Sequence, residues 1–252
     1  MNGTTKNFAG SIQTLRKAAV IGASAAAFLM LAVPAQADLI TNGGFETTTA
    51  GNGQLGFNTF ATGWSSTAYN FVFAPGTADT TGATGIDGGL SLWGTGNGGV
   101  DALVVSPNGG NFVAADPVYD SGPITQTING LTVGDVYALS FYYGGAQQYT
   151  FNGPTTEGWD VSLGSQTQDT PVLSNGNHEF TGWYSETFDY TATSSSELLS
   201  FMAVGSPPGL PPFAVLDGVS LNPTPEPGTL PLLFTGLMSG LTVLRSKKWL
   251  KR

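Results

Sequence analysis

The stretch VYALSFYY, residues 136–143, alternates its large apolar side chains with smaller ones. An extended strand with this sequence has one apolar face, formed by Tyr137, Leu139, Phe141 and Tyr143. Such a pattern is typical of a strand with one side buried. Three further runs alternate in the same way, at residues 124–128, 159–163 and 199–203.

Turn-forming pairs separate these runs, namely Asn129-Gly130, Gly134-Asp135 and Asn175-Gly176. Short alternating strands joined by such turns predict an all-β fold, an antiparallel β-sandwich or barrel. Residues 51–110 are rich in glycine, and we expect long loops there, packed around Trp64, Phe71 and Trp93. Since no linker-like stretch interrupts residues 38–222, one domain is expected.

The distribution of charge excludes nucleic acid as a partner. The chain has 252 residues and a formal net charge of −9, but no Lys or Arg lies between Asp38 and Asn222. That stretch carries sixteen acids and no phosphate-binding cation, so it lacks the footprint of a nucleic-acid-binding surface. An anionic polysaccharide would also be repelled unless a cation bridged the two. Cysteine is absent, which excludes disulfides and thiolate chemistry.

The N-terminus has the pattern of a secretory signal peptide over residues 1–37. Arg16 and Lys17 precede an apolar stretch at residues 18–33, and Pro34-Ala35-Gln36-Ala37 supplies small residues for cleavage. We expect signal peptidase and the export machinery as partners, with cleavage between Ala37 and Asp38. The alternative is an uncleaved N-terminal membrane helix, for which the apolar stretch is short.

The C-terminus, residues 223–252, has three parts in a fixed order. Pro225-Glu226-Pro227 is followed by an apolar stretch at residues 228–244 and a basic tail at residues 245–252. The apolar stretch predicts a single transmembrane helix, and the basic tail predicts a cytoplasmic end because its cations do not readily cross the bilayer. A plain tail anchor that is never processed is the alternative.

This order resembles the PEP-CTERM sorting signal. The resemblance implies recognition of Pro225, Glu226 and Pro227 by an exosortase, a membrane-embedded enzyme of polysaccharide-producing Gram-negative bacteria. It further implies an inner-membrane-anchored precursor with its ectodomain in the periplasm. Processing would then deliver the ectodomain to the cell surface or the extracellular matrix.

A second resemblance lies at the two ends of residues 38–222. The opening LITNGGFE at residues 39–46, followed by Gly63-Trp64, and the closing FAVLDGVSL at residues 213–221 are similar to galactose-binding-like and carbohydrate-binding jelly rolls. The resemblance implies a jelly-roll-like sandwich whose first and last strands lie close together. It also implies a structural calcium ion held by Glu46 and Asp217.

The alternation of residues in the closing stretch independently predicts that the Asp217 carboxylate is buried and needs a partner. A regular strand places this acid on one face with four apolar residues, Phe213, Val215, Val219 and Leu221. A buried carboxylate needs a partner, and no Lys or Arg is present between residues 38 and 222, so a hard cation fits. Two alternatives stay open: a bulge turns Asp217 to solvent, or backbone amides cap it.

Motifs for catalysis are missing from the sequence. His178 is the only histidine and lies beside a turn, where a solvated side chain is the usual outcome; no G-x-S-x-G, H-E-x-x-H or P-loop is present. A glycosidase needs only two carboxylates. Loop candidates are Asp116, Asp120 and Glu157, and nothing in the sequence pairs any two of them.

Sugar binding needs aromatic faces for stacking and amide groups for hydrogen bonds to hydroxyls. Seven residues could supply such a surface: Tyr142, Tyr143, Gln147, Gln148, Tyr149, Trp159 and Trp183. The alternative for each aromatic is a place in the core. The sequence therefore predicts a non-catalytic, surface-sorted β-sandwich that binds or organises polysaccharide. A structural or adhesive matrix protein and a secreted glycosidase are the alternatives.

Overall fold

A computed structural model describes residues 38–224, so the predicted signal peptide, sorting motif, transmembrane helix and basic tail lie outside the described residues. Within residues 38–224 the protein consists of β-strands and connecting segments. The strands are β1 (Gly53–Gln54), β2 (Asn70–Phe73), β3 (Ala83–Gly85), β4 (Gly88–Leu90), β5 (Phe112–Ala115), β6 (Ile124–Asn129), β7 (Val136–Gln147), β8 (Thr155–Leu163), β9 (Gln166–Asp169), β10 (Leu173–Asn175), β11 (Tyr184–Thr191), β12 (Ser196–Ser206) and β13 (Pro212–Pro223). Over this part of the chain, no helix is long and apolar enough to cross a membrane.

The strands form two main antiparallel sheets. One has six strands in the order β1-β2-β5-β13-β7-β11, and the other has the order β10-β8-β12-β6 with β9 beside β8. Strands β3 and β4 form a separate hairpin. The prediction of an all-β fold with antiparallel sheets is confirmed.

The first hydrophobic core fills the space between the two main sheets, and we call it the inter-sheet core. The face of β7 predicted from residues 136–143 lies in it, because Tyr137, Leu139 and Phe141 are at most 2% exposed. Phe141 meets Phe201 of β12 with ring centroids 5.2 Å apart and nearly perpendicular planes. Strands β6, β8 and β12 contain the other three predicted runs. Alternation in sequence thus corresponds to burial between the sheets.

A second core lies on the other face of the six-stranded sheet, and we call it the outer core. It is built from β2, β5 and β13, and from residues that lie across them. Phe71 and Phe213 of the sheet pack with Leu90 and Leu92, which belong to the glycine-rich region at residues 51–110. This region therefore does more than form loops, since residues 51–110 contribute four strands and cover one face of a sheet. Of the three aromatics expected there, Trp64 lies in the inter-sheet core, Phe71 in the outer core, and Trp93 is half-buried.

The first described residues run beside the last strand. Leu39 N donates to Leu221 O at 3.1 Å, and Val219 N donates to Gly43 O at 3.0 Å. The Asp38 carboxylate accepts from Leu221 N at 2.9 Å. The opening and closing stretches of the domain are therefore hydrogen-bonded to each other, as the jelly-roll resemblance implies for first and last strands.

Candidate functional site

A cleft of about 370 Å³ opens where the segments after β5, β7 and β12 meet the start of β2. We call it the aromatic cleft. Its lining combines aromatic rings, prolines, two carboxylates and one amide: Tyr69, Asp87, Gly89, Asp116, Val118, Tyr119, Gln148, Phe151, Pro208, Gly209 and Pro211.

Two tyrosines form one wall of the cleft. Tyr69 and Tyr119 meet edge to face, with centroids 5.1 Å apart and planes at 87°. Tyr69 is fixed from below, because its ring also packs against Phe71 and Phe213 of the outer core. Tyr119 is 51% exposed, and its hydroxyl donates to Asp87 Oδ2 at 3.2 Å. A rigid ring thus supports a solvent-accessible one, an arrangement suited to stacking against a flat apolar surface.

The acid at the base of the cleft is Asp116, which is 1% exposed. Its Oδ1 accepts from Val118 N at 2.8 Å and Tyr119 N at 3.0 Å, so this carboxylate fixes the backbone that carries Tyr119. Its Oδ2 has no protein partner. Burial raises the pKa of Asp116, although the two amide donors partly offset the increase.

Burial and the charge of Asp87 raise the pKa of Tyr69 to about 12. Its phenol is therefore neutral at physiological pH and can both donate and accept a hydrogen bond. The cleft consequently offers neutral hydroxyls, carboxylate oxygens and the Gln148 amide beside aromatic surfaces. Molecules that combine hydroxyl groups with an apolar face match this set of groups.

The seven residues predicted for sugar contact lie in different places. Gln148 lines the aromatic cleft, and Tyr149, which is 37% exposed, lies beside it against Trp93. Trp159 and Tyr143 are buried in the inter-sheet core, so their faces are covered. The remaining three are not among the residues lining the cleft: Tyr142, Gln147 and Trp183.

Each of these three residues is engaged within the fold by a hydrogen bond, a ring contact or strand pairing. Gln147 is fully buried and donates to Gly153 O at 3.0 Å. Trp183 packs edge-on against Phe112 and donates to Val104 O at 2.9 Å. Tyr142 is paired in register with Asp217.

Sequence reasoning missed most of the cleft. The aromatic rings that line it, Tyr69, Tyr119 and Phe151, come from three separate segments. A local signal existed at residues 116–120, where an acid, a proline, a tyrosine and another acid are close together. Of the three acids considered for a glycosidase, Asp116 lines the cleft, whereas Asp120 and Glu157 are not among its lining residues.

The acids predicted to hold calcium lie near each other. Both side chains lie beside Gly44. A Cβ atom built on this glycine would be 3.7 Å from Asp217 Oδ1 and 3.7 Å from Glu46 Cγ. Glu46 is exposed, and its Oε1 accepts from Asn111 N at 2.9 Å. Asp217 is fully buried. We call Glu46 and Asp217 the acidic pair.

Asp217 is buried as predicted, but the single face predicted for the closing strand is wrong, because Phe213 and Val215 lie on one face and Val219 and Leu221 on the other. The register of β13 against β7 shifts between Asp217 and Ser220, where Gly218 has φ of +61°. This bulge places Val219 in the inter-sheet core, while Val215 lies in the outer core. Alternation from Val215 therefore directs Asp217 to the outer face of the six-stranded sheet rather than toward the space between the sheets.

Three donors surround the buried Asp217 carboxylate. The Ser106 hydroxyl donates to Oδ2, Gly218 N donates to Oδ1 at 2.6 Å, and Asn108 Nδ2 lies 3.5 Å from Oδ1. Burial raises the pKa of Asp217 to about 7; these donors lower it and the nearby Glu46 charge raises it further. Both a bulge and an amide cap are thus present, yet Asp217 does not reach solvent.

Comparison with known proteins gives weak similarities. No protein-family model matches the chain, and no curated protein matches it. Among solved structures, one described as "CBM4 structure and function" is 17% identical, with a TM-score of 0.32, over 73% of this chain and 99% of that chain. The CBM22-1 xylan-binding domain from Paenibacillus barcinonensis Xyn10C is 14% identical, with a TM-score of 0.35, over 76% and 97%. A family 16 carbohydrate-binding module is 14% identical, with a TM-score of 0.34, over 73% and 99%.

Proposed function

We propose that this chain is an exported, non-catalytic surface protein that binds or organises polysaccharide through the aromatic cleft. The observation that carries the proposal is the lining of the cleft, in which the exposed ring of Tyr119 stands beside carboxylates and the Gln148 amide. Sugar rings present an apolar face for stacking and hydroxyls that donate to carboxylate and amide oxygens.

The charge of the cleft narrows the class of polysaccharide. Asp87 and Asp116 line it, and the sequence supplies no Lys or Arg between residues 38 and 222. A polymer of uronic acids would bring like charges together at the cleft unless a cation bridged them. We therefore propose neutral polysaccharides as the ligands.

A glycan array tests the proposal, with wild type and two tyrosine variants. We expect Tyr119→Ala to weaken binding about tenfold, because it removes a stacking surface worth on the order of 1 kcal/mol. Tyr184→Ala is the matched control, since Tyr184 on β11 is 47% exposed and lies outside the cleft lining. Equal binding by wild type and Tyr119→Ala would contradict the role of the cleft, and no binding by wild type would favour a structural or adhesive matrix protein.

Catalysis is the second candidate because two carboxylates, Asp87 and Asp116, line the same cleft. A glycosidase would use such a pair as acid and base or nucleophile. Release of new reducing ends from a bound polysaccharide, lost in Asp116→Asn, would overturn the non-catalytic proposal. We expect no release.

Sorting at the two ends of the chain is proposed from the sequence. Signal peptidase would cut between Ala37 and Asp38, and an exosortase would recognise Pro225, Glu226 and Pro227. Mass spectrometry of the exported protein is expected to find Asp38 at its N-terminus. Deletion of residues 225–227 is expected to leave uncleaved protein held in the inner membrane by residues 228–244, and normal release of that variant would contradict the sorting proposal.

A structural calcium ion at the acidic pair is proposed as well. The available ligand atoms are the carboxylate oxygens of Asp217 and Glu46 and the hydroxyl oxygen of Ser106, and hard cations prefer oxygen ligands. Calcium would keep Asp217 ionised and raise the melting temperature relative to chelator. The Asp217→Ala variant is expected to lose part of that difference. A melting temperature equal to wild type in both calcium and chelator would reject the ion.

A further inference from the structure

A group of buried polar side chains lies between the two main sheets, and none of its members lines the aromatic cleft or belongs to the acidic pair. It comprises Glu157 and Thr155 of β8, Asn175 of β10 and Gln147 of β7, and we call it the Glu157 cluster. All four residues are at most 2% exposed. A fully buried glutamate is uncommon in proteins unless it is paired or bound.

The strand register directs these side chains toward the same space. Thr155 is directly opposite Asn175 in the β8–β10 ladder, so both lie on one face of the sheet. Glu157 is two residues further along β8 on that face, and Trp159, two residues beyond, lies in the inter-sheet core.

Strand β7 of the facing sheet completes the cluster. Glu157 Oε2 occupies the space beside Gly145, where a Cβ would overlap it. The carboxylate of one sheet therefore meets the backbone of the other at Gly145, and Gln147 lies two residues further along the same face of β7.

Most polar atoms of this cluster have no protein partner. Both oxygens of Glu157, both polar atoms of the Asn175 amide, Thr155 Oγ1 and Gln147 Oε1 are buried and unpaired. Elsewhere among residues 38–224, unpaired buried side-chain atoms occur singly, at Asn70, Asp116 and Glu197. Each orphaned group costs about 1–3 kcal/mol, and a charged one costs more, so six unpaired atoms on these four side chains favour a bound partner.

We infer that the Glu157 cluster is a binding site for a hard divalent cation of the calcium class, distinct from the acidic pair. Its acceptors are all oxygens: a carboxylate, two amide carbonyls and a hydroxyl. Calcium takes 6–8 such ligands in flexible geometry, whereas magnesium demands a near-ideal octahedron. The sequence from Asp38 to Asn222 offers Glu157 no Lys or Arg for an ion pair.

The cation would bind across the two sheets. Its ligands come from β8 and β10 of one sheet and from β7 of the other. Binding would therefore stabilise the packing of the sheets, and it would couple to folding because the site is enclosed.

Native mass spectrometry of the full-length chain, refolded from denaturant with calcium, tests this inference by counting bound ions. We expect Glu157→Gln to bind one calcium ion fewer than wild type. Asp217→Asn changes only the acidic pair, so it is expected to keep the ion that depends on Glu157. The matched control is Glu197→Gln on β12, because Glu197 is also buried but its Oε1 accepts from Thr193 and Ser194.

A second variant tests calcium binding at the Glu157 cluster if Glu157→Gln fails to fold. Thr155→Val removes one oxygen at nearly constant volume and adds no charge, and we expect it to weaken calcium binding at this site at least several-fold. Circular dichroism confirms that each variant is folded. An unchanged ion count in folded Glu157→Gln, or unchanged calcium affinity in Thr155→Val, would overturn the inference and leave Glu157 a neutral, protonated acid.

Discussion

The carboxyl group of Glu157 couples the stability of the domain to pH. Burial raises its pKa to about 8. In the unfolded chain the pKa is near the ordinary value of 4.5. The folded state therefore binds its proton more tightly, and the stability from this group is fully present below pH 4.5 and is lost as pH rises through about 8.

We therefore expect the melting temperature, measured in chelator, to fall between pH 5 and pH 8, with Glu157 contributing up to about 5 kcal/mol of lost stability. The Glu157→Gln variant has no such proton to lose and is expected to show a flatter profile. Thermal denaturation across this range measures the difference. Parallel profiles for wild type and Glu157→Gln would show that Glu157 does not control the pH dependence.

Among the elements, β13 shows how one glycine changes the face on which the following side chains lie. The burial of Asp217 was predictable from the sequence, because an acid among apolar residues in a closing strand is visible locally. The direction of the residues after Asp217 was not predictable from alternation, since the register shift that places Val219 and Leu221 in the inter-sheet core falls at Gly218, which has φ of +61°. In this conformation residues with a side chain are strained.

Replacing Gly218 with alanine is expected to destabilise the domain by about 2–4 kcal/mol, from the positive φ and from crowding. Its new Cβ would lie 2.9 Å from Tyr142 Cδ2 and 3.0 Å from Asn108 Cβ. Gly130→Ala is the control, because Gly130 has φ of +85° and no atom within 4 Å of that Cβ; it should cost only about 1 kcal/mol. Denaturant unfolding compares the two. Equal losses would mean that crowding around the bulge has no energetic effect.

Other elements differ in how visible they are in the sequence. Strands β6, β7, β8 and β12 alternate because one face is buried and the other is more exposed, and this pattern is local. Strands β2 and β5 are four residues long and buried on both faces, so they show no alternation. Strand β2 pairs with β5, and β5 pairs with β13, and these pairings join distant parts of the chain. The outer core and the aromatic cleft depend on these pairings, which explains why their residues were not predicted together.

At the scale of the whole molecule, the charge distribution and the lining of the aromatic cleft both bear on the proposed ligand, a neutral polysaccharide. All eight basic residues lie before Asp38 or after Asn222, while sixteen acids lie between them. Long-range repulsion of a polyanion therefore adds to the local repulsion by Asp87 and Asp116 in the cleft. Neutral sugars experience neither effect.

Affinity of residues 38–224 for a neutral polysaccharide is accordingly expected to change less than about twofold with ionic strength, because salt screens only charge–charge interactions. A polyuronate should bind only when calcium is present to bridge the carboxylates. Affinity electrophoresis in gels containing either polymer, with calcium or chelator, measures both effects. The full chain is the comparison, since its tail at residues 245–252 adds five cations that can attract a polyanion without the cleft. Polyuronate binding by residues 38–224 in chelator would show that acid repulsion does not select the ligand.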